Sequence, residues 1–121
     1  MKLLRRQLIY VQAHQDHFTA RVVGGDRTIR RQCHSLANRS SPIKDFSRIQ
    51  PCLSEVFSEL KPKFSLLRPW GLLHFVPSEY PVTQTELVEF KKVAESSGVA
   101  FCFLSTWEEP HQDKELLTFY E

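Results

Sequence analysis

The sequence predicts an α/β domain built on a mixed β-sheet, and three observations carry that prediction. Residues 7–34 fall into short runs of strand-forming residues split by turn residues, whereas residues 46–60 place apolar side chains at helical spacing. Two later runs, GLLHFVP (71–77) and VAFCFL (99–104), are nearly continuously apolar, as strands buried on both faces require. A well-marked amphipathic helix separates them, so the second half reads strand, helix, strand.

Taken in order, QLIYVQA (7–13) is rich in β-branched and aromatic types, and HFTARVV (17–23) alternates Phe18, Ala20 and Val22 with polar or basic neighbours. His14, Gln15 and Asp16 form a tight turn between them. Gly24, Gly25 and Asp26 form the next, before TIRRQCH (28–34), which completes an antiparallel meander. SLANRSSPIK (35–44) is a polar loop containing Pro42. Phe46, Ile49, Leu53, Val56, Phe57 and Leu60 then share one helical face, with Glu55 and Glu59 opposite. Pro51 belongs in the first turn of a helix, which sets the expected start near Ser47 to Gln50. LKPKFSLLRPW (60–70) is a connector broken by two prolines.

The second helix carries its own start and stop signals. Thr83 and Glu86 form a capping box, Leu87, Phe90, Val93 and Ala94 make the buried stripe, and Gly98 ends it. HQDKELLTFYE (111–121) has the pattern of a short closing helix through Leu116, Leu117 and Tyr120. The order is β-β-β-α-β-α-β with a closing α. Strands reached through helices run parallel to the first, by right-handed crossovers. A meander followed by two such crossovers is the topology of the ribonuclease H-like fold, which the halves of actin-like ATPases share.

One chain of 121 residues suits a single domain, and its composition, without low-complexity tracts, is that of a globular protein. No apolar run approaches the roughly 18 residues of a membrane helix. The run Leu8 to Val11 is too short for a signal peptide core. Cys33, Cys52 and Cys102 are odd in number and widely spaced, which is read as reduced, buried thiols in a cytosolic protein. Charge is lopsided: residues 1–48 carry ten Lys/Arg against three Asp, and residues 49–121 carry six against eleven acids. Such asymmetry fits an acidic partner, head-to-tail self-association, or two solvated faces of opposite sign.

Val76-Pro77-Ser78 at a strand end, Thr83, Glu86 and Val88 at a helix start, Ala94 to Gly98 at its close and Glu108-Glu109-Pro110 after the last strand resemble a segment of domain I of bacterial actin-like proteins of the MreB type. LIYVQAHQDHFTARVV similarly looks like the first hairpin of that fold, and short bacterial proteins carrying this actin-like portion are also similar. In that family the first hairpin turn has the form D-x-G-T, whose backbone N–H groups cradle phosphate while its carboxylate organises a metal. Here the turn is AHQDHF, with Asp16 as a single acid and no glycine. The resemblance therefore implies a degenerate actin-like scaffold without ATP hydrolysis. Two-metal nuclease chemistry is also disfavoured, because QLIYVQA has no acid and the fourth strand offers His74 instead of one.

Other residues admit chemical readings with plainer alternatives. His14, Asp16 and His17 have metal-ligand chemistry but equally make a polar hairpin tip. Cys33 beside His34, Arg30 and Arg31 has the ingredients of a reactive thiolate, yet neighbours on a strand face opposite sides, which favours a core thiol. His74, inside an apolar run, is expected to be a buried, hydrogen-bonded histidine. Arg27, Arg30, Arg31 and Arg39, with Lys2, Arg5 and Arg6, form either a basic patch or a charged guard on an edge strand. Trp70 and Trp107 are partner anchors if exposed and core caps if buried.

The expected function is a non-enzymatic, cytosolic protein-binding or adaptor domain without a cofactor. Its interaction surface is expected at Arg27, Arg30, Arg31 and Arg39 and at the loop of Ser78, Glu79 and Tyr80. The resemblance implies a partner from cell-envelope or cytoskeletal assemblies. One alternative is a small-ligand sensor or enzyme using the strand-end crevice, with His14, Asp16, Cys33 and His74 as candidates. Another is a nucleic-acid binder using the basic N-terminal sheet.

Overall fold

A computed structural model describes residues 7–37, 46–61 and 67–120, with the side chains of 118–120 excepted. Strands β1 (Leu8–Ala13), β2 (His17–Val22) and β3 (Thr28–Gln32) form the meander. Helix α1 (Phe46–Leu60), β4 (Trp70–His74), α2 (Gln84–Glu95), β5 (Phe101–Ser105) and α3 (Asp113–Tyr120) follow. The strands make one five-stranded sheet in the order β3-β2-β1-β4-β5. β1 pairs antiparallel with β2 and parallel with β4, and β4 pairs parallel with β5. The mixed α/β fold expected from the element order is present.

The two sheet faces are covered unequally. Ile9, Val11 and Ala13 of β1, Phe18 and Ala20 of β2, Leu73 of β4 and Cys102 of β5 join the main core with Ile49, Leu53, Val56 and Phe57 of α1 and Phe90 and Ala94 of α2. The opposite face contributes Leu8, Tyr10 and Leu72, which pack against Leu116 of α3. Strand alternation sorts these sets, since neighbouring residues point to opposite faces. α2 is capped as its sequence demands: Glu86 N–H donates to Thr83 Oγ1 (3.1 Å), and Thr83 N–H donates to Glu86 Oε1 (2.9 Å). Gly98, at φ +120°, turns the chain out of α2 toward β5.

Three expectations change. Pro51 lies at the sixth residue of α1 rather than in its first turn, because the helix starts at Phe46, whose ring packs edge-on against Phe90. The proline sits on the exposed side and forgoes one helical hydrogen bond. β5 is not buried on both faces: it is an edge strand, Cys102 faces α2, and Phe101 is 43% exposed. An apolar run alone does not report whether a helix covers its second face. Finally, the cysteines are not all reduced thiols. Cys33, just past β3, is disulfide-bonded to Cys52 in α1, with Cα atoms 6.0 Å apart, and Cys102 is free and buried. Disulfides are rare in reducing cytosol, so the cytosolic expectation loses its thiol premise.

Most of the expected 35–44 loop lies outside the described residues, as do Arg39, Lys2, Arg5 and Arg6. The start of that loop is a 3-10 turn, His34–Ala37, which buries Leu36.

Candidate functional site at the carboxyl ends of the parallel strands

Because β1, β4 and β5 run parallel, their carboxyl ends meet along one edge of the sheet, where ligands bind in open α/β folds. His74 and Ser105 end their strands at this edge on the α3 side, and the Tyr10 side chain reaches His74 from the middle of β1. His74 is fully buried. Its Nε2–H donates to Trp107 O (2.9 Å), which leaves Nδ1 to accept from the Tyr10 hydroxyl at 2.6 Å. The same hydroxyl accepts the His111 backbone N–H (3.0 Å). Burial lowers the His74 pKa and raises that of Tyr10, so both stay neutral near pH 7. His74 is the buried, hydrogen-bonded histidine its apolar surroundings predicted.

His111, in the segment between β5 and α3, lies against this pair. Its ring centroid is 4.6 Å from that of His74 and 5.9 Å, edge-on, from that of Tyr10. Its Nε2 is 2.7 Å from Ser105 Oγ, and its Nδ1 is 3.0 Å from Glu115 Oε1. Glu115 also accepts the Gln112 N–H (3.0 Å) at the start of α3, and these two bonds hold its carboxyl below the usual range. An ionised Glu115 can only accept, so His111 Nδ1 is the donating nitrogen, and in the neutral imidazole Nε2 accepts from the serine hydroxyl. Trp107 N–H points at the same Ser105 Oγ (3.3 Å).

The backbone of His111 is anchored as well. Its carbonyl accepts from Arg21 Nη2 (2.9 Å), and Arg21 Nε meets Asp113 Oδ1 at 2.6 Å. Asp113 Oδ2 accepts the Gly24 N–H (2.9 Å), tying the start of α3 to the β2–β3 turn. Beside Ser105, His111 and Glu115 opens a cavity of about 420 Å³ whose other walls are Leu72, Phe103, Leu104 and Leu116.

A second polar cluster occupies the β1–β2 turn. His14 and His17 stack with centroids 4.4 Å apart. Asp16 binds His17 Nδ1 through Oδ1 (2.8 Å) and accepts from Gln32 Nε2 through Oδ2 (3.0 Å). The Asp16 carbonyl accepts the Cys33 N–H (2.7 Å), and His14 N–H donates to His17 O (2.8 Å). Burial, then the neighbouring His17, lowers the His14 pKa. Glu79, from the loop after β4, accepts from Gln12 Nε2 (2.8 Å) and lies 3.7 Å from His14. Among the described residues, no group of three or more His, Cys, Asp or Glu side chains is arranged to hold a metal ion.

The surface expected from sequence is partly rearranged. Arg27 and Arg31 both bond Glu59 of α1, and Arg31 also lies 3.5 Å from Glu55. Arg30 points from the opposite face, toward the β1–β2 turn, where hydrogen bonds from His17 and Gln32, with a smaller contribution from Arg30, lower the pKa of Asp16. Ser78 and Glu79 are exposed, but Tyr80 is fully buried and donates to Leu36 O (2.8 Å), so it is not part of a surface. Cys33 is consumed by its disulfide and does not pair with His34. Trp107 is 63% exposed, and Trp70 is half-buried, edge-on to Phe103.

Ser105, His111, Glu115, Tyr10 and Gln12 were not site candidates from sequence. The one local signal was the four-residue spacing of His111 and Glu115 at a helix start. Ser105 joins them only through the fold.

No family model matches this sequence, and no curated protein matches it either. Among solved structures, the chain is similar to MreB 5 of Spiroplasma citri bound to AMPPNP, with a TM-score of 0.57 at 15% identity. The match covers 84% of this chain and 38% of that one. At this identity the likeness is one of fold: the five-stranded sheet and its helices are built as in part of an MreB-like, actin-family chain.

Proposed function

We propose that this chain is a protein-binding domain on an actin-like, ribonuclease H-like half-scaffold, and that it does not hydrolyse nucleotide. The observation that carries the reading is an aromatic strip on the incompletely covered side of the sheet. Phe101 and Phe103 are in edge-to-face contact (4.8 Å), Trp70 packs on Phe103 (6.0 Å), and the end of the strip at Phe101 is open to solvent. Rigid aromatics packed on a sheet lose little entropy on docking and are enriched among residues that dominate interfaces. Support for the absence of hydrolysis comes from the β1–β2 turn. Its Asp16 carboxylate and the His14 N–H are engaged within the chain.

A protein partner is favoured over nucleic acid because Arg27 and Arg31 already face carboxylates of α1. A bacterial origin and a partner from cell-envelope or cytoskeletal assemblies extend the actin-like likeness. The test is quantitative affinity capture with the wild-type chain and a Phe101→Asp variant, each shown to be folded by circular dichroism. A protein enriched by the wild type and lost with the variant is the expected result. Identical capture profiles from both would contradict docking through the strip.

A further inference from the structure

We infer that Ser105, His111 and Glu115 form a nucleophilic site for acyl esters, with the neighbouring cavity receiving the acyl chain. This goes beyond the binding reading and does not depend on it. Three features of the geometry converge. Ser105 Oγ lies 2.7 Å from His111 Nε2, and Glu115 Oε1 meets the opposite nitrogen at 3.0 Å. That is the order of nucleophile, base and orienting carboxylate that activates a hydroxyl. The base is held in place before any substrate arrives, because the backbone N–H of His111 is bonded to Tyr10 and its carbonyl to Arg21. The cavity of about 420 Å³ is apolar along Leu72, Phe103 and Leu116 and polar where the serine opens into it.

In the reaction, Ser105 Oγ attacks the acyl carbonyl carbon and passes its proton to His111 Nε2. The ester C–O bond breaks, and the departing alcohol takes that proton. Water then attacks the acyl-serine, its proton goes to His111 and on to Ser105 Oγ, and the carboxylic acid leaves. The sum is ester plus water to acid plus alcohol. Trp107 N–H, 3.3 Å from Ser105 Oγ, is a backbone donor beside the attacking atom. Ser105 and His111 are the catalytic residues, and Glu115 is a positioning residue.

The test uses a fluorophosphonate probe with intact-mass and peptide mapping, together with hydrolysis of p-nitrophenyl butyrate. The expected result is a single adduct on Ser105, absent in Ser105→Ala, and ester hydrolysis that falls about 100-fold or more in His111→Ala. Glu115→Gln keeps the one oxygen that both the Gln112 N–H and His111 Nδ1 meet, but removes the negative charge that favours an imidazolium during the reaction. It should therefore lower kcat with little change in KM and displace the acidic limb of the pH–rate profile. No adduct at Ser105, or hydrolysis unchanged in a folded Ser105→Ala variant, would overturn the assignment and leave the three side chains as a tie between β5 and α3. Partner capture through Phe101 is unaffected by Ser105→Ala, so the two readings fail separately.

Discussion

Tyr10 is the side chain on which most of the interior polar network turns. Its hydroxyl gives its proton to His74 and takes one from the His111 backbone, while its ring lies 4.6 Å beneath the Arg21 guanidinium. Tyr10→Phe removes both hydrogen bonds and leaves a buried imidazole nitrogen and a backbone N–H without that partner. The expected loss is about 1–3 kcal/mol by urea unfolding. Acid acts on the same residues. His74 and His14 have lowered pKa values in the folded chain, chiefly through burial, whereas the unfolded chain takes up those protons below about pH 6.5. The unfolded state therefore binds more protons there, and stability must fall as pH drops through and below that value. Asp16, Glu95 and Glu115, whose pKa values are also lowered, extend the loss toward the carboxylate range. Thermal midpoints should be level near neutral pH and decline steadily on acidification; a midpoint that rises on acidification would contradict this.

Among the elements, α2 was the most legible because its signals are local: cap, stripe and terminal glycine all lie within sixteen residues (83–98). Thr83→Ala should cost about 1 kcal/mol in chemical denaturation, since Glu86 loses its partner in the box. β5 was legible as a strand but not as an edge. Its outward backbone at Cys102 is instead occupied by α2, where Glu95 accepts the Cys102 N–H (3.2 Å) and Lys91 donates to its carbonyl (3.0 Å). Lys91 also sits 3.7 Å over the Phe101 ring. Lys91 and Glu95, paired at 2.7 Å, put charge along this edge of β5, which discourages pairing with another sheet. The Cys33–Cys52 bond joins β3 to α1 and was illegible because three scattered cysteines carry no pairing information. Thiol titration with Ellman's reagent near pH 8 should find no reactive thiol in the folded chain, as burial pushes Cys102 up to about 12. In denaturant without reductant it should find one. Three thiols in denaturant would contradict the disulfide.

For the whole molecule, the lopsided charge of the sequence is partly resolved inside the fold. Arg21, Arg27 and Arg31 from the basic half meet Asp113, Glu59 and Glu55 from the acidic half. The exposed pairs contribute little individually. They do show that part of the charge counted along the chain is paired within the fold. The parallel direction of β1, β4 and β5 followed from element order, because strands joined through helices run parallel. The site was mostly illegible, since Tyr10 comes from the middle of β1, His74 and Ser105 from the ends of β4 and β5, His111 from a loop and Glu115 from a helix. Their juxtaposition is a property of register. On the proposed reading, the actin-like sheet carries a β1–β2 turn closed by its own side chains in place of a phosphate cradle. Isothermal calorimetry of the chain with Mg²⁺-ATP, beside an Asp16→Ala variant, tests it most directly. No binding heat at millimolar nucleotide is expected for either protein; micromolar binding by the wild type that is lost in Asp16→Ala would mean that the turn still holds phosphate.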